Sequence, residues 1–187
     1  MKKEFLTALD HRDKAFTESY NKIFNSKWYP DFFVKDNFVV LYTNTSDFLT
    51  DFITNAVSWS HDTFIYLKAY DFNEASGFKC YSLSLTDIEC IKKTDLFKAS
   101  QYSLDEGFVI FGDKAQWAIY VGEDLYDHGK NARFEDFSFI FCNTVSSEIV
   151  IEFFKNKYAN SVMIKEEYKS RHFNIPDSEE KILQFII

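Results

Sequence analysis

The sequence predicts one α+β domain over residues 1–187, an antiparallel or mixed β-sheet with helices packed on one side and a predominantly helical C-terminal third. Two observations lead there. Aromatic residues make up 19% of the 187-residue chain, with 22 Phe, 11 Tyr and 3 Trp, while Gly is held to 5 and Pro to 2. Such side chains bury on the order of 150–250 Å² each, so a chain of this length can close a core without disulfide or metal staples, and the length suits a single domain. The second observation is the hydrophobic spacing, which runs α, β, α, several β, then α, with no repeat and no Gly- or Ser-rich linker between segments.

Phe5, Leu9, Phe16, Tyr20, Ile23 and Phe24 fall on one stripe of a helix from about Lys3 to Asn25. Trp28-Tyr29-Pro30 ends it, because the residue before a proline is pushed out of the helical region. Asp36-Asn37 gives a turn, and Phe38 to Tyr42 reads as a short buried strand. Thr45-Ser46-Asp47 marks a helix N-terminus, whose free amides a short oxygen-bearing side chain can take up. Leu49, Phe52, Ile53, Ala56 and Val57 follow at helical spacing, and this helix should end near Ser58 to His61.

Thr63 to Tyr70 and Phe78 to Leu85 are strand-like and joined by a hairpin loop around Asn73 to Gly77. Thr86 to Lys93 is a short helix or irregular. Gly107 to Gly112 and Gln116 to Val121 form two strands about a short turn, alternating as a sheet with one better-covered face requires. A loop carrying Gly122, Glu123, Asp124, Asp127, His128 and Arg133 precedes a strand from Phe137 to Cys142. From Asn143 the pattern turns helical, with Ile149, Val150, Phe153, Phe154 and Tyr158 as one apolar face. A second helix carries Met163 and Tyr168, Asn174 to Asp177 breaks it, and a capped final turn follows.

Composition excludes several function classes. The formal charge of −8 opposes nucleic-acid binding, which draws most of its affinity from cations on phosphates. The longest uncharged apolar stretches are strand-sized, whereas a membrane span needs about 20 residues, and the apolar run at Phe5 to Leu9 is too short for a signal peptide. The three Cys, at 80, 90 and 142, form no CxxC pair and read as reduced packing residues in a soluble cytoplasmic protein.

No catalytic, cofactor or metal signature is present. The four His, at 11, 61, 128 and 172, lack a second ligand at i, i+4 spacing. No Gly-x-Ser-x-Gly elbow, P-loop or dinucleotide fingerprint occurs, so no cofactor is expected. His128 beside Asp127 could serve as an acid or base, although no nucleophile accompanies it. Trp117 within its strand reads as core packing, while Trp28 reads equally as core or as an interface anchor.

What stands out is charge asymmetry. Asp105 to Asp136 carries eight acidic residues against three basic ones, which accounts for five of the eight excess negative charges. Such a field attracts a cationic partner and speeds its encounter. The candidate partner-binding residues are therefore Glu123, Asp124, Asp127, His128, Glu135 and Asp136.

The stretch GFVIFGDKAQWAIYVGEDLYDHG, Gly107 to Gly129, resembles the paired strands and acidic loop of bacterial immunity proteins from polymorphic-toxin and contact-dependent systems. That resemblance implies a small, acidic, cytoplasmic, non-catalytic protein that binds a toxin domain, often a basic nuclease. It assigns no residue roles. The reading that follows is a non-enzymatic protein whose acidic loop from Gly122 to Asp136 engages a basic protein partner, with no nucleic acid or membrane involved. Two others stay open: an enzyme or small-ligand binder with an aromatic pocket using His128, Glu123 or Asp127, and a homo-oligomeric structural subunit whose surplus Phe cover an interface.

Overall fold

A computed structural model describes residues 6–25, 35, 37–43, 48–70, 76–85, 107–126 and 133–157. Its strands are β1 (Leu6–Leu9), β2 (Phe38–Thr43), β3 (Phe64–Tyr70), β4 (Phe78–Ser84), β5 (Phe108–Gly112), β6 (Trp117–Tyr126) and β7 (Arg133–Asn143). The helices are α1 (Lys14–Ile23), α2 (Leu49–Ser60) and α3 (Ser147–Lys157). The seven strands form one sheet in the order β1-β4-β3-β5-β6-β7-β2, every neighbouring pair antiparallel. The α+β expectation and the antiparallel sheet hold.

Helices cover both faces of that sheet, which corrects the expectation that they pack on one side. Phe16, Tyr20, Ile23 and Phe24 join Tyr66, Val109, Phe111, Phe139 and Phe141 in the α1 core. Phe48, Phe52, Ala56, Val150 and Phe154 join Ile65, Ile110, Trp117, Ile119 and Ile140 in the core of α2 and α3. The cause is topological. Successive antiparallel pairings make β1, β2 and β3 mutually parallel, so α1 and α2 are crossover connections, and parallel crossovers keep one hand. The first crosses from the β1 edge to the β2 edge, and the second returns toward β3. Two crossovers of one hand travelling in opposite directions must lie on opposite faces.

The helix expected from Lys3 to Asn25 is instead a strand, a turn and a helix. Asp10 accepts from the Arg12 amide at 2.8 Å, and the Asp13 amide bonds the Asp10 carbonyl at 2.8 Å. Asp13 then caps α1, its carboxylate accepting from the Phe16 amide at 2.9 Å. The apolar stripe was real from Phe16 onward. Leu6 to Leu9 gains more by pairing with β4, Leu6 opposite Leu83, than by extending a helix across two turn-forming aspartates. The strand over Phe38 to Tyr42 forms, but among the described residues it pairs only with β7, at the sheet edge.

The α2 helix and the β3–β4 hairpin match expectation, and His61 ends α2 in the left-handed conformation at φ 56°. In β5 all five residues are buried, so this strand does not show the single covered face that its alternation suggested. It lies mid-sheet, with helices above and below. Of the helical C-terminal third expected from Asn143, a 3-10 turn at Thr144–Ser146 and α3 fall within the described residues, and the rest lies outside them. Val150 and Phe154 of α3 are buried, whereas Ile149, expected on the same face, is 49% exposed. The caps at 45–47, the segments 71–75 and 86–106, Trp28, Cys90, His172 and residues 158–187 lie outside the described residues.

Candidate functional site

The acidic segment is mostly strand, which corrects its reading as a loop from Gly122 to Asp136. The β6–β7 pairing runs out to Tyr126 opposite Arg133, leaving 127–132 between the strands. Glu123 stands opposite Asp136 and Asp124 opposite Glu135, so four of the six candidate residues occupy two consecutive rungs. Asp127 and His128 lie outside the described residues.

Among the described residues the ribbon also outruns its neighbours. Pairing with β5 stops at Val121 opposite Phe108, and pairing with β2 stops at Ser138 opposite Thr43. Beyond them β6 and β7 continue through Gly122–Phe137 to Tyr126–Arg133, about 14 Å at roughly 3.4 Å per residue. Among the described residues, nothing else joins the sheet there. A two-stranded ribbon is marginal in water, and like charges directly opposite weaken it further.

Asp113, counted with the acidic segment, belongs to the fold instead. Its carboxylate accepts from the Thr63 amide at 2.7 Å, the Thr63 hydroxyl at 2.8 Å, the Phe64 amide at 3.2 Å and the Lys114 ammonium at 2.9 Å. Burial raises its pKa, but the hydrogen bonds from Lys114, Thr63 and Phe64 outweigh burial and hold it at about 2. Asp62 makes the reciprocal tie, accepting from the Lys114 amide at 2.8 Å. Its other oxygen accepts from Trp117 Nε1 at 2.8 Å and meets the Ser60 hydroxyl, which also reaches the Ala56 carbonyl at 2.6 Å.

Burial pushes the Asp62 carboxyl up, with Asp113 adding to it, against the lowering effect of bonds from Ser60, Lys114 and Trp117. The cluster looks like an acid with a serine neighbour, but each carboxylate oxygen is engaged in pinning the β5–β6 turn to the start of β3. It is a staple. Gly112 makes room for it, since a methyl there would fall inside the Asp62 carboxylate. Trp117 is fully buried, as its place within a strand implied.

Cys80 and Cys142 are buried free thiols, each pushed up to about 12 chiefly by burial, so neither supplies a thiolate near neutral pH. His11 and His61 are exposed. Among the described residues no three His, Cys, Asp or Glu side chains gather as a metal site, and no helix is long and apolar enough to cross a membrane. Most described Phe side chains lie in the two cores, with Phe64 exposed at 50%.

A second polar feature escaped the sequence reading. Lys68, in the middle of β3, is 1% exposed, with Nζ 4.0 Å from the centroid of the Tyr20 ring and 4.2 Å from that of Phe78. Burial lowers its pKa to about 8. The signal was a lone lysine with Tyr66 at the preceding inward position of the strand. Compared with protein-family models, curated proteins and solved structures, the chain matches none.

Proposed function

We propose that this chain is a non-enzymatic cytoplasmic binding protein, an immunity-type inhibitor that engages a basic protein partner through the acidic end of the β6–β7 ribbon. One observation carries the reading: Glu123 opposite Asp136 and Asp124 opposite Glu135, on a ribbon that extends past both flanking strands among the described residues. Two rungs of like charge cost stability in the free protein, about 0.2–1 kcal/mol each. A cationic partner seated on the ribbon converts that repulsion into attraction and accelerates encounter at low salt. Asp127 and His128, which lie outside the described residues, complete the proposed set of partner-binding residues.

The test separates fold from function by opposite signs. Glu123→Lys with Asp124→Lys replaces both like-charge rungs by opposite-charge ones, so unfolding in urea should show a gain of about 0.5–2 kcal/mol, the sum of two rungs. The same variant should associate with a copurifying basic partner at least 10-fold more slowly and with a flatter salt dependence. Unchanged association rate and salt dependence would remove the ribbon from the interface.

A further inference from the structure

We propose that Asp62 takes up a proton within the folded protein without releasing the β5–β6 turn, donating the new hydrogen to Ser60 while the Ser60 hydroxyl turns to the Ala56 carbonyl. The pair sits where α2 gives way to β3: Ser60 ends the helix and is 2% exposed, and Asp62 is 5% exposed. This proton relay lies apart from the β6–β7 ribbon and does not depend on its role.

With Asp62 ionised, the cluster is one hydrogen short. Ser60 Oγ stands 2.6 Å from the Ala56 carbonyl and also meets Asp62 Oδ2. Both are then acceptors, and a serine hydroxyl has one hydrogen to give, so one of the two contacts sets oxygen against oxygen. Trp117 Nε1 does not relieve it, because its hydrogen goes to Oδ2 at 2.8 Å, with Ser60 Oγ farther off at 3.3 Å. A proton on Oδ2 completes the set. Oδ2–H donates to Ser60 Oγ, the Ser60 hydroxyl donates to the Ala56 carbonyl, and Oδ1 still accepts from the Lys114 amide at 2.8 Å. The proton comes from solvent, the hydroxyl hydrogen rotates, and no heavy atom has to move.

The surroundings support that proton. From the β5–β6 turn the charged groups are Asp113 and Lys114, whose ammonium bonds Asp113 at 2.9 Å; α2 presents the Ser60 hydroxyl and β6 the Trp117 indole, both uncharged, and His61 is exposed. Burial is the largest influence on the Asp62 carboxyl and raises its pKa, with Asp113 adding to the rise. A carboxyl raised by folding stabilises the fold below its ordinary value, and that contribution is lost as pH rises through the folded value. Asp113, held at about 2, runs the other way. On acidification Asp62 is therefore protonated first, while Asp113 still holds Thr63 and Phe64.

The experiment is carbon-13 NMR of the whole chain labelled at its aspartate carboxyl carbons, with the Asp62 signal identified by its loss in Asp62→Asn, followed from pH 7 downward. The Asp62 carboxyl should titrate with a midpoint above 3.8. Hydrogen exchange at the Trp117 indole, taken relative to the buried Ile119 amide to remove global unfolding, should change less than 3-fold across that midpoint. Ser60→Ala leaves the new hydrogen without a hydroxyl to receive it, so the same ratio should rise at least 10-fold below the midpoint, and Ser60→Thr, which keeps a hydroxyl, should behave as the parent does. A midpoint at or below 3.8, loss of indole protection in the parent as Asp62 is protonated, or an unchanged ratio in Ser60→Ala would overturn the relay. Should Ser60→Ala not fold, the two readings on the parent decide it alone.

Discussion

Replacing Gly112 by Ala isolates the staple that joins the β5–β6 turn to β3. Gly112 is not among the glycines at positive φ, so its strand backbone accepts an L-residue and the whole penalty is steric. The added methyl would overlap Asp62 Oδ2, Cγ and Oδ1, and that carboxylate cannot step aside freely. The Lys114 amide and Trp117 Nε1, each at 2.8 Å, and the Ser60 hydroxyl hold it in a site only 5% exposed. Displacing it forfeits two or three bonds to a charged group, each worth about 1.5–3 kcal/mol.

Allowing for relaxation, Gly112→Ala should cost about 4 kcal/mol, or about 8–16 °C in Tm for a chain of this size. Asp62→Ala should also be costly, about 3 kcal/mol, because it leaves the Trp117 and Lys114 donors buried without an acceptor. In the Asp62→Ala background the methyl meets no carboxylate, and Ala is worth about 0.5–1 kcal/mol over Gly inside a strand. There Gly112→Ala should become neutral or stabilising. Urea unfolding of the four proteins, followed by tryptophan fluorescence and circular dichroism, gives the coupling energy directly. A cost below about 1 kcal/mol for Gly112→Ala alone, or the same cost in both backgrounds, would refute the clash and with it the fixed position of Asp62.

Asp113 has its folded pKa depressed to about 2, below the ordinary carboxylate value of 3.8. Its contribution is thus present above about pH 4 and is lost as pH falls through about 2. Asp113→Ala should lower stability by about 2 kcal/mol at pH 7, with the gap to the parent protein narrowing toward pH 2 in acid titrations; a gap independent of pH would deny the ionised staple. His61 is exposed and sits at φ 56° at the end of α2, so His61→Gly should stabilise by about 0.5–1 kcal/mol, and a loss in Tm would contradict that geometry.

Much of the fold was legible because local spacing records which residues turn inward. The α2 stripe of Leu49, Phe52, Ile53 and Ala56, the β3–β4 hairpin and the β5–β6 pair around Asp113 to Gln116 each needed only neighbours in the chain to be recognised. The N-terminal helix shows how the same signal misleads. The seven-residue step from Leu9 to Phe16 is helical in number, yet Asp10 and Asp13 spend their carboxylates on a turn and a cap within it. Side-chain capping won over a periodicity that spanned two elements.

The candidate site was legible in composition and not in shape. Clustered carboxylates between Glu123 and Asp136 were plain, but their opposition in pairs depends on a register that places Val121 against Ser138. Lys68 was visible as a lone charge in an apolar strand. Nothing nearby in the chain foretold Tyr20 and Phe78 on either side of its ammonium.

Aromatic abundance, the sign and location of the excess charge, and most helices and strands follow from residues close together along the chain. The order of the seven strands, the helices on both faces, the ribbon that outruns its described neighbours and the rings around Lys68 belong to tertiary structure. Their cause is long-range: the hand of two crossovers and the pairing of segments far apart decide which faces meet, and hydrophobic spacing within a segment is the same whichever partner covers it.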